Sequence, residues 1–174
     1  MKLKRLLKNK KGSEVFGMSF SMIFSIILIV FFIAIAGIAI NAFLKFQKEA
    51  QIRLFMGEFQ NAVNIAFNSD EYESYFKSEL PSGIKDVCLI NLTSSAKSPN
   101  TDEQGIFNYV KKETRDFKYN LYIYAPEKSY KTKWGTIKNI DLSQKNPICI
   151  PVKNNKVSIK LVREFEYPQV KVSA

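Results

Sequence analysis

The chain of 174 residues contains no histidine. That absence removes histidine-based nucleophile systems, histidine-ligated metal centres and imidazole acid–base chemistry together. Two cysteines, Cys88 and Cys149, are too few for a four-ligand zinc site of the usual kind. Seven glycines lie scattered from Gly12 to Gly135, and none belongs to a Gly-rich loop that would cradle a phosphate. Charge is missing altogether from Val15 to Leu44, thirty residues reading VFGMSFSMIFSIILIVFFIAIAGIAINAFL.

That run exceeds the roughly 20 apolar residues with which a helix crosses a bilayer core about 30 Å thick. So small a domain could hardly surround such a helix, and a lipid bilayer is its expected partner. A cleaved secretory signal is the competing reading, because Ala34-Ile35-Ala36 resembles a small-x-small cleavage site. The apolar stretch before it is longer than the roughly 7 to 15 residues usual for such signals, and apolar residues continue to Leu44. A retained anchor is the expectation. The net charge of +10 is split evenly: Met1 to Glu14 carry +5, and Lys45 to Ala174, with 20 basic and 15 acidic side chains, carry the other +5. Lys2, Lys4, Arg5, Lys8, Lys10 and Lys11 crowd one flank, against a mixed Lys45, Lys48, Glu49 and Arg53 on the other. The positive-inside rule then puts residues 1–14 in the cytoplasm, 15–44 in the cell membrane and the C-terminal domain outside. The thin spread of the remaining basic residues is not that of a nucleic-acid surface, so no nucleic acid is expected as a partner.

Residues 45–80 read as a helical stem. Ile52, Phe55, Met56, Phe59, Val63 and Phe67 recur at spacings of three and four, and nothing between Leu44 and Lys45 breaks a helix. Asn68-Ser69-Asp70 is the expected stop, followed by a second short helix over 71–80 that ends at Pro81-Ser82-Gly83. From 81 to 174 the composition turns to strands, with candidates at 84–92, 119–125, 136–142, 147–152, 157–165 and 169–172. Lys153-Asn154-Asn155-Lys156 reads as a hairpin turn, because Asn tolerates the positive φ such turns need. Thr93 to Gln104 reads as a loop, and 106–117 as a short helix or an irregular crossover. The expected class is α+β: a long N-terminal helix followed by a small antiparallel β-sheet domain.

Cys88 and Cys149 both fall in strand candidates, and outside the cytoplasm a disulfide between them is permitted. Closing a loop of about 60 residues stabilises a fold by roughly 3 to 4 kcal/mol in the chain-entropy model. Asn91-Leu92-Thr93 is the single Asn-x-Ser/Thr triplet, placed at a strand end before a polar loop, which makes Asn91 a candidate glycosylation site. Carboxylates cluster at Asp70-Glu71-Glu73 and Asp102-Glu103, but no spacing selects a catalytic pair, so solvated surface charge is expected and no enzyme or cofactor. The stretch 118–138 interleaves Tyr122, Tyr124, Tyr130 and Trp134 with Lys131 and Lys133. Such a mixture holds glycans or acidic polymers when it faces solvent, but the favoured account is that tyrosines suit strands and lysines protect sheet edges from mispairing.

A basic leader closed by a glycine in KKGSEVFGMSF, then a long apolar helix continuing into an amphipathic one, then a small sheet with a late cysteine, resembles type IV pilins and pilin-like archaeal proteins. The resemblance implies a processing site at Gly12 and Ser13, where a peptidase cuts after the glycine, and it implies copies of the chain bundling through their helices into a filament. The fifth mature position would be Gly17, where the bacterial members carry Glu. The residues by themselves point to a single-pass, non-enzymatic structural or interaction protein of the cell envelope. A filament subunit and an envelope glycan- or polymer-binding module are the alternatives.

Overall fold

The computed structural model describes residues 12–98, 100–114, 118–125 and 133–173, with side chains from residue 21 onward. The chain divides into two units, Met1–Gln47 and Lys48–Ala174, and one 56-residue helix, α1 (Gly12–Phe67), contributes to both. Among the described residues it is the one helix long and apolar enough to cross a membrane. Its large apolar side chains from Met22 to Leu44 are exposed. In the second unit the pattern reverses. Ile52, Phe55, Phe59, Val63 and Ala66, three or four residues apart, form a buried stripe, with Met56 and Phe67 half-buried beside it.

After α1 come β1 (Tyr72–Glu79), β2 (Asp86–Leu89), α2 (Thr101–Glu113), β3 (Leu121–Tyr124), β4 (Lys133–Gly135), β5 (Ile140–Asp141), β6 (Ile148–Pro151), β7 (Lys156–Arg163) and β8 (Val170–Ser173). The fold is α+β. Where one small sheet was expected, the strands form two of four, in the orders β1-β7-β8-β5 and β4-β3-β2-β6. Pairing is antiparallel except between β5 and β8, which run parallel. The α1 stripe packs into one cluster with Val87, Leu89, Leu121 and Ile123 of one sheet and Ile159, Leu161 and Val172 of the other. On the opposite face of the β4-β3-β2-β6 sheet, Cys88, Ile90 and Tyr122 form a second cluster with Phe107 and Val110 of α2. Covered on both faces, β2 is apolar without alternation at Val87, Cys88 and Leu89.

Several expectations need correction. Residues 71–80 form a strand, not a helix. Glu71, Glu73, Lys77 and Glu79 favour a helix locally, but β1 pairs along its whole length with β7 and alternates half-buried with exposed side chains. Phe76 points inward, its ring 5.9 and 5.3 Å from those of Phe55 and Phe59. Outward, Glu73 binds Lys160 at 2.6 Å and Glu79 binds Lys156 at 3.4 Å, so two of the residues that suggested helix serve in cross-strand ion pairs. The 93–104 loop ends early, because Asn100 caps α2 by accepting the Asp102 N–H at 2.9 Å, with Asp102 and Glu103 favourably placed in the first turn. Of 136–142 only Ile140–Asp141 is strand, since Asn139 takes φ 65° and turns the chain. Lys133–Gly135 pairs instead. Gly135 lies against Met56 of α1, where an added Cβ would come to 2.9 Å from Sδ and the thioether would have to shift.

The hairpin forms at Asn154 and Asn155 with φ 51° and 61°, both Asn residues in the left-handed region. The C-terminus of α1 is closed from a distance. It carries no basic residue in its last turn, but Arg163 of β7 donates to the Phe67 carbonyl at 3.0 Å and lies 5.2 Å from the Phe67 ring centre. A cation there complements the negative end of the helix.

Phe59→Ala removes a fully buried ring at the centre of the stripe and should cost about 3 to 5 kcal/mol of stability. Leu54→Ala, on the exposed side of the same helix, should change it by less than about 0.5 kcal/mol. Thermal denaturation of the detergent-solubilised protein, followed by circular dichroism, separates the two.

Candidate functional surfaces

The apolar stretch of α1 is compatible with a non-aqueous surround. Sixteen large apolar side chains between Met22 and Leu44 are exposed. A helix satisfies its own backbone polar groups, and Ser25 returns its hydroxyl to the Ser21 carbonyl at 2.8 Å, so that side chain also presents no unpaired donor. Gly12 and Ser13 are the first two residues of α1, and the Ser13 side chain lies outside the described ones.

Cys88 and Cys149 sit directly opposite each other in the β2–β6 register and are joined by a disulfide. Cys88 is fully buried, and the bridge belongs to the cluster under α2. It closes a 61-residue separation that contains α2 and β3 to β5.

The Tyr/Lys stretch is not one surface. Tyr122 is fully buried, its hydroxyl donating to the Tyr119 carbonyl at 2.8 Å and its ring edge-on to Trp134 at 5.1 Å. It is core, because position 122 of β3 points toward α2, so it cannot stack on a ligand. Trp134 is half-buried against the same cluster. Tyr124, also half-buried, meets the Tyr109 ring at 6.5 Å. Lys133 is paired with Glu49 of α1 at 2.9 Å. Tyr130 and Lys131 lie outside the described residues.

Two polar arrangements escaped the sequence reading. An open cleft of about 570 Å³ lies between the first turn of α2 and the strand ends, lined by Lys85, Asp86, Asp102, Glu103 and Tyr109 among others. Glu103 is buried there and accepts from the Ser98 hydroxyl and from Lys145 at 2.9 Å. Desolvation by burial pushes the Asp86 carboxyl above its ordinary value of 3.8; Lys85 opposes this, while Asp102 and Glu103 add to it. Among the described residues no group of three or more His, Cys, Asp or Glu is arranged to hold a metal.

The second arrangement centres on Asn146, which is fully buried before a cis peptide bond to Pro147. Its side chain accepts the Asn91 N–H at 2.8 Å and donates to the Asn91 carbonyl at 2.8 Å and the Ser94 hydroxyl at 2.9 Å. Its carbonyl accepts the Lys97 N–H at 2.6 Å. One amide thus organises the loop after β2, where backbone groups would otherwise be buried unpaired. A lone Asn-Pro reads locally as a turn, and nothing in sequence links it to residue 91.

No known family, curated protein or solved structure matches the chain.

Two predictions follow from these sites. Replacing both cysteines by serine, or reducing the bridge, should lower stability by about 4 kcal/mol in the chain-entropy model, read as a fall in the denaturant midpoint. Asp86 holds its proton more tightly folded than unfolded, so its ionisation opposes folding as pH rises through the window just above 3.8. Asp86→Asn should therefore raise the melting temperature near pH 7 and leave it unchanged near pH 3, where both states carry the proton.

Proposed function

We propose that this chain is a single-pass membrane protein whose second unit, outside the cytoplasm, is a non-enzymatic structural or interaction module of the cell envelope. The observation that carries the reading is the reversal along α1. One helix exposes its apolar side chains as far as Leu44 and buries its apolar stripe from Ile52 onward. Sixteen such side chains, at roughly 0.3 to 0.6 kcal/mol each, favour lipid over water by several kcal/mol. The basic residues from Lys2 to Lys11 support a cytoplasmic N-terminus, and a disulfide in the second unit is in keeping with an oxidising compartment.

A second reading, the pilin-like filament subunit, is favoured by one feature. The helix runs without a proline from Gly12, at the end of the basic leader, through to Phe67. The two readings share a topology and differ in processing.

Protease added to intact cells should degrade the second unit and leave a membrane-protected fragment that resists carbonate extraction. Cleavage only after lysis would overturn the orientation, and carbonate release would overturn the anchor. The intact mass of the membrane-extracted protein decides between the readings: loss of Met1 to Gly12 selects the filament subunit, and a full-length chain selects the anchored module.

A further inference from the structure

The triplet Asn91-Leu92-Thr93 closes on itself in the folded domain. The Asn91 side-chain carbonyl accepts the Thr93 N–H at 3.0 Å and the Thr93 hydroxyl at 2.6 Å. An N–H can only donate, so the atom facing it is Oδ1, and Nδ2 is turned the other way. Nδ2 donates to no described residue, and it is not among the buried polar atoms that lack a partner. It meets solvent. Asn91 lines an open, mainly polar cleft of about 520 Å³ together with Lys97, Asn120, Asp141, Ser143 and Gln169. Its backbone N–H and carbonyl are both held by the buried Asn146 amide, so the direction in which the side chain leaves the loop is fixed.

We propose that Asn91 Nδ2 is the attachment point of an N-linked glycan whose first sugar lies along this cleft. The cleft offers what a sugar ring pairs with: a carboxylate at Asp141, a hydroxyl at Ser143 and an amide at Gln169. The donor is a saccharide carried on a lipid phosphate or diphosphate. Nδ2 forms a bond to the sugar C1 and the C1–O bond to phosphate breaks. The departing oxygen keeps the electron pair, and one Nδ2 proton passes to a base of the transferring enzyme; nothing is oxidised or reduced. The proposal rests on the reading that the second unit lies outside the cytoplasm.

The experiment is the intact mass of the full chain from its native membranes, run beside the protease-accessibility assay on the same cells. The expected result is a saccharide increment that maps to the peptide containing Asn91. Asn91→Gln and Thr93→Ala should each abolish it, and Thr93→Ser, which keeps a hydroxyl, should retain it. Thr93→Ala leaves the Asn91–Asn146 hydrogen bonds in place and carries the test if Asn91→Gln does not accumulate. An unmodified mass on a protease-accessible domain overturns the glycan alone, as does an increment that survives Asn91→Gln. An unmodified mass on an inaccessible domain overturns the topology and the glycan together.

Discussion

The seam between α1 and the two sheets is the contact on which the second unit depends. Phe55, Phe59 and Val63 are almost entirely withdrawn from solvent, in one cluster with side chains from both sheets. The helix stripe and the inward side chains of both sheets form one continuous buried cluster. The helix is held there by more than apolar contact: Gln60 accepts the Lys138 N–H at 2.8 Å, and Arg163 binds the last carbonyl. The apolar cluster provides most of the free energy, and the polar contacts fix which residue of the helix meets which strand.

Behind the second sheet a smaller system is stabilised differently. The cluster under α2 is smaller than the main core, and it is supplemented by a covalent bridge, by the ion pair of Lys145 with buried Glu103, and by the Asn146 amide. Each of these reaches across from the segment just before or within β6 to β2, its loop or α2. The region that sequence marks as a loop is consequently among the most heavily cross-braced parts of the domain.

What could be read from sequence was whatever a local pattern encodes. The stripe from Ile52 to Phe67 has a helical period, Asn154-Asn155 has the backbone tolerance of a tight turn, and the α+β class follows from the change of composition after Gly83. What could not be read was decided by partners distant in the chain. Glu73 and Glu79 look like helix surface until Lys156 and Lys160 are placed beside them. Tyr122 looks like a ligand platform until the face of β3 that it occupies is known, and a strand of four residues does not announce which side is covered. Asn146 carries the local signal of a turn before Pro147 and none that links it to residue 91. The division into two sheets is of the same kind, because it depends on β7 choosing β1 and β8 as neighbours rather than β6, to which it is joined by the hairpin.

The bridge between Cys88 and Cys149 also sets how far the chain can be drawn out. The covalent path from α1 to β8 enters the bridge at β2 and leaves it at β6, bypassing 61 residues of separation. Stretched to full length, that bypassed stretch would measure about 200 Å. None of it is released by tension applied along the chain while the sulfurs remain bonded. A domain standing at a surface and pulled from its far side would extend through β1, β7 and β8, while α2, β3, β4 and β5 stay out of the line of force.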